Sequence, residues 1–253
     1  GLAVVVLLTG TLVTGSGQGI GLALAEGLSD AGAHVVLNGR DKAKLERAQQ
    51  ALAAAGRKAS IAPFDVTDHE AVEAGVAMIE AEIGPIDILI NNAGMQKRAP
   101  ITEFPVEGWH EVINTNLHSV FYVTQAVTKR MVPRKRGKII SIGSVMSELG
   151  RATIIPYTAS KGAVKMMTRG LAAELGKHNI QANAIGPGYF ATEINAALIA
   201  DEAFSSWVCS RTPAGRWGET KELAGAAIFL SSAASDYVNG HLLMVDGGLT
   251  SVV

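Results

Sequence analysis

The chain has 253 residues, of which 48% are hydrophobic and 18% are charged. A chain of this length buries about three-quarters of the surface that it exposes when unfolded, so its core needs no disulfide or metal. The 22 lysines and arginines are balanced by 23 aspartates and glutamates; with no broad basic field, we expect no nucleic acid partner. The one cysteine, Cys209, cannot form an internal disulfide, which favours a reducing compartment, the cytoplasm.

The segment Leu2–Leu8 is apolar. It is too short to span a membrane, and it lacks the basic flank and cleavage pattern of a signal peptide. We therefore expect no membrane partner and interpret the segment as the start of the path into a buried strand.

Beyond this segment, short β-branched runs alternate with longer segments of helical period, and glycine, aspartate or asparagine marks each switch. Such alternation is typical of a parallel sheet covered by helices. No repeat, charge block or flexible linker divides residues 1–253. The sequence predicts a single-domain α/β protein, a doubly wound Rossmann fold with a seven-stranded parallel sheet. The predicted strands are Thr11–Val13, His34–Leu37, Ala59–Ala62, Ile86–Ile90, Lys138–Ile142, Ile180–Ile185 and Leu242–Val245.

Two of the intervening segments carry helix signals. Over Asp41–Ala55, Leu45 and Leu52 share one face. Thr67–Glu70 resembles a capping box that opens the next helix.

Candidate functional residues follow the predicted strands directly. A glycine-rich turn follows the first strand, Asn91–Gly94 the fourth, Ser144 the fifth and Pro187–Gly188 the sixth. In a doubly wound sheet, ligands bind outside the carboxyl ends of the strands. We therefore expect these residues to meet in one site.

The glycine-rich turn, Thr14–Gly21, lies between the first strand and a helix that begins near Ile20. Its glycines permit a tight turn and close backbone approach, while the helix N-terminus favours a pyrophosphate. A glycine-rich turn without a ligand is the alternative. The turn predicts a dinucleotide site with contacts at Gly15, Ser16, Gln18, Gly19 and Ile20.

The choice between NADP and NAD depends on the end of the second strand. No carboxylate stands there, and Arg40 can pair with a 2′-phosphate through its forked donors. This favours NADP. Asp41 could instead neutralise Arg40 or cap the next helix. Asp65 and Val66, after the third strand, would suit the adenine, although Asp65 could equally be a plain turn residue.

Tyr157 and Lys161 are four residues apart at the start of an apolar helix, so they share one face. A nearby ammonium lowers the pKa of a phenol from its usual value of about 10, which would make Tyr157 a usable acid and base. Ser144 could hold a substrate oxygen, and Asn116 could keep a water for proton exchange. Alone, such a Tyr–Lys pair is usually a solvated helix face; the strand-end position of Ser144 favours catalysis.

Six motifs stand in a diagnostic order and spacing: Thr14–Gly21, Asn91–Gly94, Asn116, Ser144, Tyr157–Lys161 and Pro187–Gly188. In these the chain resembles the short-chain dehydrogenases/reductases over almost its whole length. The resemblance implies that Tyr157 is the general acid/base, Lys161 its pKa-lowering partner, Ser144 the donor to the substrate oxygen and Asn116 a relay residue. It also implies a homotetramer, and cofactor contacts at Asn92, Ala93, Gly94, Tyr157, Lys161, Pro187 and Gly188. Gly143 departs from the family, which often carries a second serine there.

Stretches that form the substrate wall in this family also resemble its members that act on sugar acids; they cover residues 91–98, 147–151, 187–193, 211–218 and 238–243. A sugar acid carries one carboxylate and several hydroxyls, so its pocket needs a fixed cation and polar groups. Arg98 and Arg151 are the candidate cations. The other candidate substrate ligands are Gln96, Ser144, Glu148, Tyr157 and Tyr189.

We expect residues 189–215 to form a lid over this site. The histidines lack paired metal-ligand spacing, so no metal site is predicted. The predicted reaction is the NADP(H)-dependent interconversion of a sugar acid and its 5-keto form. The nearest alternative is a short-chain reductase that acts on another substrate, such as a 3-oxoacyl thioester or a different polyol. A nucleotide-sensing protein without turnover is another.

Overall fold

The computed structural model describes residues 10–253, without the side chain of Ile194, so Leu2–Leu8 lies outside the described residues. All seven predicted strands are present, each extended by at most a few residues. The described strands are β1 Gly10–Val13, β2 His34–Gly39, β3 Ala59–Pro63, β4 Ile86–Asn91, β5 Gly137–Ile142, β6 Ile180–Pro187, β7 Phe190–Ala191, β8 Gly218–Glu219 and β9 Leu242–Val245.

The seven longer strands form one parallel sheet in the order β3-β2-β1-β4-β5-β6-β9. The chain moves outward from β1 to one edge and then returns to β4 and moves to the other. This is the predicted doubly wound order, and it places a crevice between β1 and β4 at their carboxyl ends.

Helices cover both faces of the sheet. Their bounds are α1 Gly19–Asp30, α2 Lys42–Ala54, α3 His69–Met78, α4 Val106–Ile113, α5 Ser119–Arg134, α6 Ile155–Leu175, α7 Ala196–Ala200, α8 Glu202–Arg211 and α9 Ala224–Ser231. Side chains of α1, α2 and α9 pack in one core cluster, whereas those of α3, α5 and α6 pack in another. The sheet therefore lies between two helical layers.

Successive side chains along each strand alternate between these two cores. In β1, Val13 belongs to the first core and Leu12 to the second. In β4, Ile90 belongs to the first and Leu89 to the second. Because successive strand side chains point to opposite faces, a continuous apolar run supplies both layers, as is usual in a sheet buried on both sides.

The helix signals are confirmed for α2 and corrected for α3. The Asp41 carboxylate caps α2 by accepting a hydrogen bond from the Lys44 N–H at 3.0 Å. For α3, the cap is Asp68, whose carboxylate accepts from the N–H groups of Glu70 and Ala71. The predicted capping box at Thr67 is wrong, because the Thr67 hydroxyl donates to Asp65 at 2.7 Å.

The sequence patterns did not predict the two short strands that lie between β6 and α9. Here β7 and β8 pair in a small parallel sheet, Phe190 beside Gly218 and Ala191 beside Glu219. Strands of two residues show no periodicity, which is why sequence patterns missed them. Between them, α7 and α8 cross the carboxyl edge of the main sheet. Within residues 10–253, no helix has the length and apolar character needed to cross a membrane.

Candidate active site

A cleft of about 790 Å³ opens along the carboxyl ends of the strands. It runs from the glycine-rich turn after β1, past the ends of β2 and β4, to Ser144 after β5 and Pro187 at the end of β6. Most of the predicted site residues line it. They are Gly15, Gln18, Gly19, Ile20, Arg40, Asp65, Val66, Asn92, Ala93, Gly94, Arg98, Ser144, Arg151, Tyr157, Lys161, Pro187, Gly188 and Tyr189.

The glycine-rich turn has the shape of a phosphate cradle. Gly15 and Gly19 have left-handed backbone angles, with φ of 61° and 58°. A Cβ at Gly15 would lie 2.9 Å from the Cα of Ala93, whereas one at Gly19 would point into open space beside the cleft. Because α1 begins at Gly19, its first N–H groups face that space, and a pyrophosphate fits there.

Two residues next to the cradle hold its shape. Ser16 is fully buried; its hydroxyl donates to the Val13 carbonyl at 2.7 Å and accepts from the Asn38 N–H at 3.0 Å. The Asn92 side-chain amide donates to the carbonyls of Thr14 and Gly15 at 2.9 and 3.1 Å. Ser16 therefore does not line the cleft, in contrast to its predicted cofactor contact, because both sides of its hydroxyl bind backbone.

Two cations and two carboxylates line the β2 end of the cleft. The Arg40 guanidinium is 81% exposed and lies 3.8 Å from the Asp65 carboxylate, an exposed ion pair that contributes little. The other oxygen of Asp65 accepts hydrogen bonds from Thr67. Lys44, which the sequence analysis missed, also lines the cleft, and its ammonium contacts the Gln18 side-chain oxygen. Its position on the first turn of α2 was the available signal.

Ser144, Tyr157 and Lys161 meet on the opposite side of the cleft. The Lys161 ammonium lies 5.6 Å from the Tyr157 ring centroid and donates to the Ile142 carbonyl at 2.6 Å. The Ser144 hydroxyl accepts from the Met146 N–H at 3.1 Å. Ser147, a residue that was not predicted, ties these elements together: its hydroxyl accepts from the Ser144 N–H and donates to the Lys161 carbonyl.

Burial dominates the electrostatics of this pair. Burial raises the pKa of Tyr157, and the hydrogen bond from Ser144 lowers it by less. Burial lowers the pKa of Lys161 from 10.5 to about 8. The net shift of the Tyr157 pKa is therefore upward, because burial outweighs the groups that favour the phenolate; the role of Lys161 as the pKa-lowering partner stays a prediction.

Asn116 lies in a π-helical turn, Asn114–His118, between α4 and α5. Its side-chain amide donates to the Met95 carbonyl and the Ser160 hydroxyl, and its oxygen accepts from the Met95 N–H at 2.8 Å. Both amide hydrogens are thus used to hold the loop after β4 against α6. Such π-turns often occur at functional positions.

The candidate cations Arg98 and Arg151 face the same part of the cleft. Arg151 donates to the Tyr189 hydroxyl at 3.2 Å. Burial and the Arg151 charge lower the pKa of Arg98, so the two guanidinium groups repel each other. Gln96 also lines the cleft, and its side-chain nitrogen is buried without a hydrogen-bond partner.

Glu148 is not among the residues that line the cleft. Its carboxylate pairs with the Lys165 ammonium at 2.6 Å. Its predicted contact with a substrate is therefore not supported, because the charge is satisfied outside the site. Thr192, Glu193 and Asn195 also line the cleft; they were not predicted individually, but they lie within the segment predicted to cover the site.

No group of three or more histidine, cysteine, aspartate or glutamate side chains within residues 10–253 is arranged to hold a metal ion.

Comparison with known proteins gives consistent matches. A family model described as enoyl-(acyl carrier protein) reductase matches residues 15–250. Gluconate 5-dehydrogenase of Gluconobacter oxydans (strain 621H) is 59% identical over 239 residues, which cover 94% of this chain and 93% of the relative. The 5-keto-D-gluconate 5-reductase of Escherichia coli (strain K12) is 57% identical over 242 residues, which cover 96% of this chain and 95% of that protein.

A crystal structure of a gluconate 5-dehydrogenase from Burkholderia cenocepacia J2315, in complex with NADP and tartrate, superposes with a TM-score of 0.95. The two sequences are 54% identical, and the match covers 97% of this chain and 96% of the crystallised one.

Proposed function

The chain belongs to the short-chain dehydrogenase/reductase family, and on that premise we propose that it interconverts D-gluconate and 5-keto-D-gluconate with NADP(H). The observation that carries the proposal is the meeting of Ser144, Tyr157 and Lys161 opposite a phosphate cradle in one cleft. The enzyme is an oxidoreductase that acts on a CH–OH group.

NADP fits the cradle and the two cations at the β2 end of the cleft. Gly19 leaves room for the pyrophosphate at the start of α1, and Arg40 and Lys44 face the position of the 2′-phosphate. No carboxylate stands at the end of β2 to bind a free 2′-hydroxyl. When bound, the nicotinamide accepts or supplies the hydride at its C4.

Tyr157 exchanges a proton with the C5 oxygen of the sugar acid. In reduction, its raised pKa keeps the phenol protonated and ready to donate. The Ser144 hydroxyl donates a hydrogen bond to the same substrate oxygen and so fixes the orientation of the carbonyl group. Lys161 places a positive charge beside the ring, which stabilises the phenolate left after donation. The Asn116 side chain does not line the cleft and holds the loop after β4 in place; its part in returning the proton stays a prediction.

The acid end of the substrate meets the arginine pair. Arg98 faces the carboxylate alongside Arg151, since neither guanidinium has a carboxylate within 4.0 Å in the described part of the chain. A sugar hydroxyl would satisfy the unpartnered nitrogen of Gln96, whose lack of a partner is otherwise unfavourable. Tyr189 borders the same space.

A substrate screen tests the proposal. NADPH and NADH oxidation would be followed with 5-keto-D-gluconate, a neutral ketose and acetoacetyl thioester. We expect turnover with 5-keto-D-gluconate and NADPH to exceed every other combination. Preferred turnover of the thioester would instead favour a 3-oxoacyl thioester reductase, and preferred turnover of the neutral ketose would favour a polyol dehydrogenase.

The proposal extends to organisation. Residues 1–253 act as one nucleotide-binding domain, with residues 189–215 as its substrate lid. The family resemblance supports a homotetramer, and the lone cysteine supports a cytoplasmic location. Sedimentation of the purified protein tests the assembly.

A further inference from the structure

The loops that carry Arg98 and Arg151 are joined directly. The N–H of Ala99 donates to the carbonyl of Thr153 at 3.0 Å. Thr153 has a φ of 70°, a left-handed conformation that a β-branched residue rarely adopts. A strained residue that persists at such a contact indicates that the surrounding structure enforces this loop spacing. The backbone therefore fixes the spacing of the two loops that carry the arginines.

Arg151 also contacts the segment above the cleft. Its guanidinium carbon lies 5.3 Å from the Phe204 ring centroid, and its Nη1 donates to the Tyr189 hydroxyl. Tyr189, Phe204, Trp207 and Trp217 pack edge to face or tilted, with centroids 5.6 to 6.4 Å apart. We call these four rings the aromatic cover. Arg151 is the charged residue that links the cover to the loop after Ser144.

The contacts of Arg151 leave part of its guanidinium free. The cation–π contact with Phe204 uses no N–H, and the Tyr189 hydroxyl accepts from one, so the remaining guanidinium donors are open to an anion. Within residues 10–253, no carboxylate lies within 4.0 Å of Arg151. A carboxylate placed here would also relieve the repulsion between Arg151 and Arg98.

We propose that Arg151 determines specificity for acids by binding the substrate carboxylate with its in-plane donors while it stacks on Phe204, so that the acid itself fastens the aromatic cover over the site. This inference rests on the proposed function and adds a role for the cover. A neutral polyol offers Arg151 no carboxylate, so it would add nothing to the Phe204 and Tyr189 contacts that already hold the cover. The cover would then be held less firmly, and water would enter more readily.

The experiment uses tryptophan fluorescence, because two of the three tryptophans belong to the cover. A Tyr157→Phe background slows turnover enough for equilibrium titration, and NADP⁺ is present at saturation. D-Gluconate or D-glucitol, which differ only in the acid group, is titrated against this protein and against the same protein with Arg151→Gln, Arg151→Lys or Phe204→Leu. NADP⁺ affinity in each variant reports whether the cofactor site is intact.

We expect a saturable fluorescence change with D-gluconate that Arg151→Gln abolishes, with Kd rising on the order of 10- to 100-fold toward that of D-glucitol. Arg151→Lys should keep part of the affinity but lose the signal, because an ammonium has no planar face to stack. Phe204→Leu should reduce the signal with a smaller rise in Kd. With Tyr157 intact, Arg151→Gln should raise KM for D-gluconate and leave KM for NADP⁺ unchanged.

An unchanged Kd, or a full fluorescence change, in Arg151→Gln would overturn the inference. So would equal losses of D-gluconate and D-glucitol binding, which would indicate general damage. If the unmodified enzyme oxidises no sugar acid, the proposed function fails, which the parent protein shows without any Arg151 variant.

Discussion

Burial of the catalytic lysine predicts that this residue destabilises the protein that it serves. The Lys161 side chain is 5% exposed, and burial lowers its pKa from 10.5 to about 8. Below pH 8 the lysine is charged in both the folded and the unfolded chain, and the folded state bears the full cost of desolvation. That fall in pKa corresponds to about 3 kcal/mol. Lys161→Met removes the charge and keeps an unbranched side chain of similar length.

The sign of the pH dependence follows from proton counting. Between pH 8 and 10.5 the unfolded chain binds a proton that the folded one has released, so the free energy of unfolding of the wild type rises with pH. About 2 kcal/mol of the desolvation cost disappears between pH 7 and 9.5. We therefore expect the stability advantage of Lys161→Met to be largest at pH 7 and to shrink by about that amount at pH 9.5.

The advantage at pH 7 is less than the full desolvation cost, because the Ile142 carbonyl loses its donor. A buried carbonyl without a partner costs about 1–3 kcal/mol. This loss does not depend on pH. The change with pH of the difference in free energy of unfolding between the two proteins therefore still measures the desolvation of Lys161.

Urea unfolding of wild type and Lys161→Met at pH 7, 8, 9 and 9.5 checks this. Other titrating groups cancel in the difference. Lys177→Met is the matched control, because Lys177 is exposed and lies in the short helical turn that directly follows α6. A difference between wild type and Lys161→Met that stays flat over this pH range would refute the reasoning. The variant should lack turnover throughout.

Three further predictions concern the cofactor, the proton donor and the strained loop. Arg40→Glu should raise the Kd for NADPH about 10- to 100-fold and leave NADH binding unchanged in fluorescence titrations; equal losses would indicate general damage. Tyr157→Phe should bind NADPH normally but lower kcat roughly 10²- to 10⁴-fold in stopped-flow assays; near-normal turnover would discard its role. Thr153→Gly should relieve the left-handed strain and stabilise the protein by about 1 kcal/mol in urea unfolding; destabilisation would contradict it.

The linear pattern of the chain was enough to predict the strands and the place of the site. β-Branched runs that alternate with helical segments predict a parallel sheet, because each helix carries the chain back to the edge at which the preceding strand began. Once the strands are parallel, residues that follow β1, β4, β5 and β6 must gather at one edge. The sequence pattern alone therefore places four residues in one site: Gly19, Asn92, Ser144 and Pro187.

Side-chain direction was less predictable. Ser16 and Glu148 have site-like residue types in site-like segments, yet Ser16 binds backbone on both sides and Glu148 pairs with Lys165. Lys44 enters the cleft from α2, a helix that carries none of the predicted motifs. The hydrogen-bond partners that turn a side chain come from elements distant in the sequence, and local patterns do not contain them.

The amino-acid order alone determined the doubly wound sheet, the phosphate cradle and the pairing of Tyr157 with Lys161, because each depends on spacing within one strand, turn or helix. Packing decided the rest. It decided that the pKa of Tyr157 rises, since burial is a property of the assembled fold and outweighs nearby polar groups. It also brought Thr153 to Ala99 and Arg151 to Phe204, contacts between segments that meet only after the chain has folded.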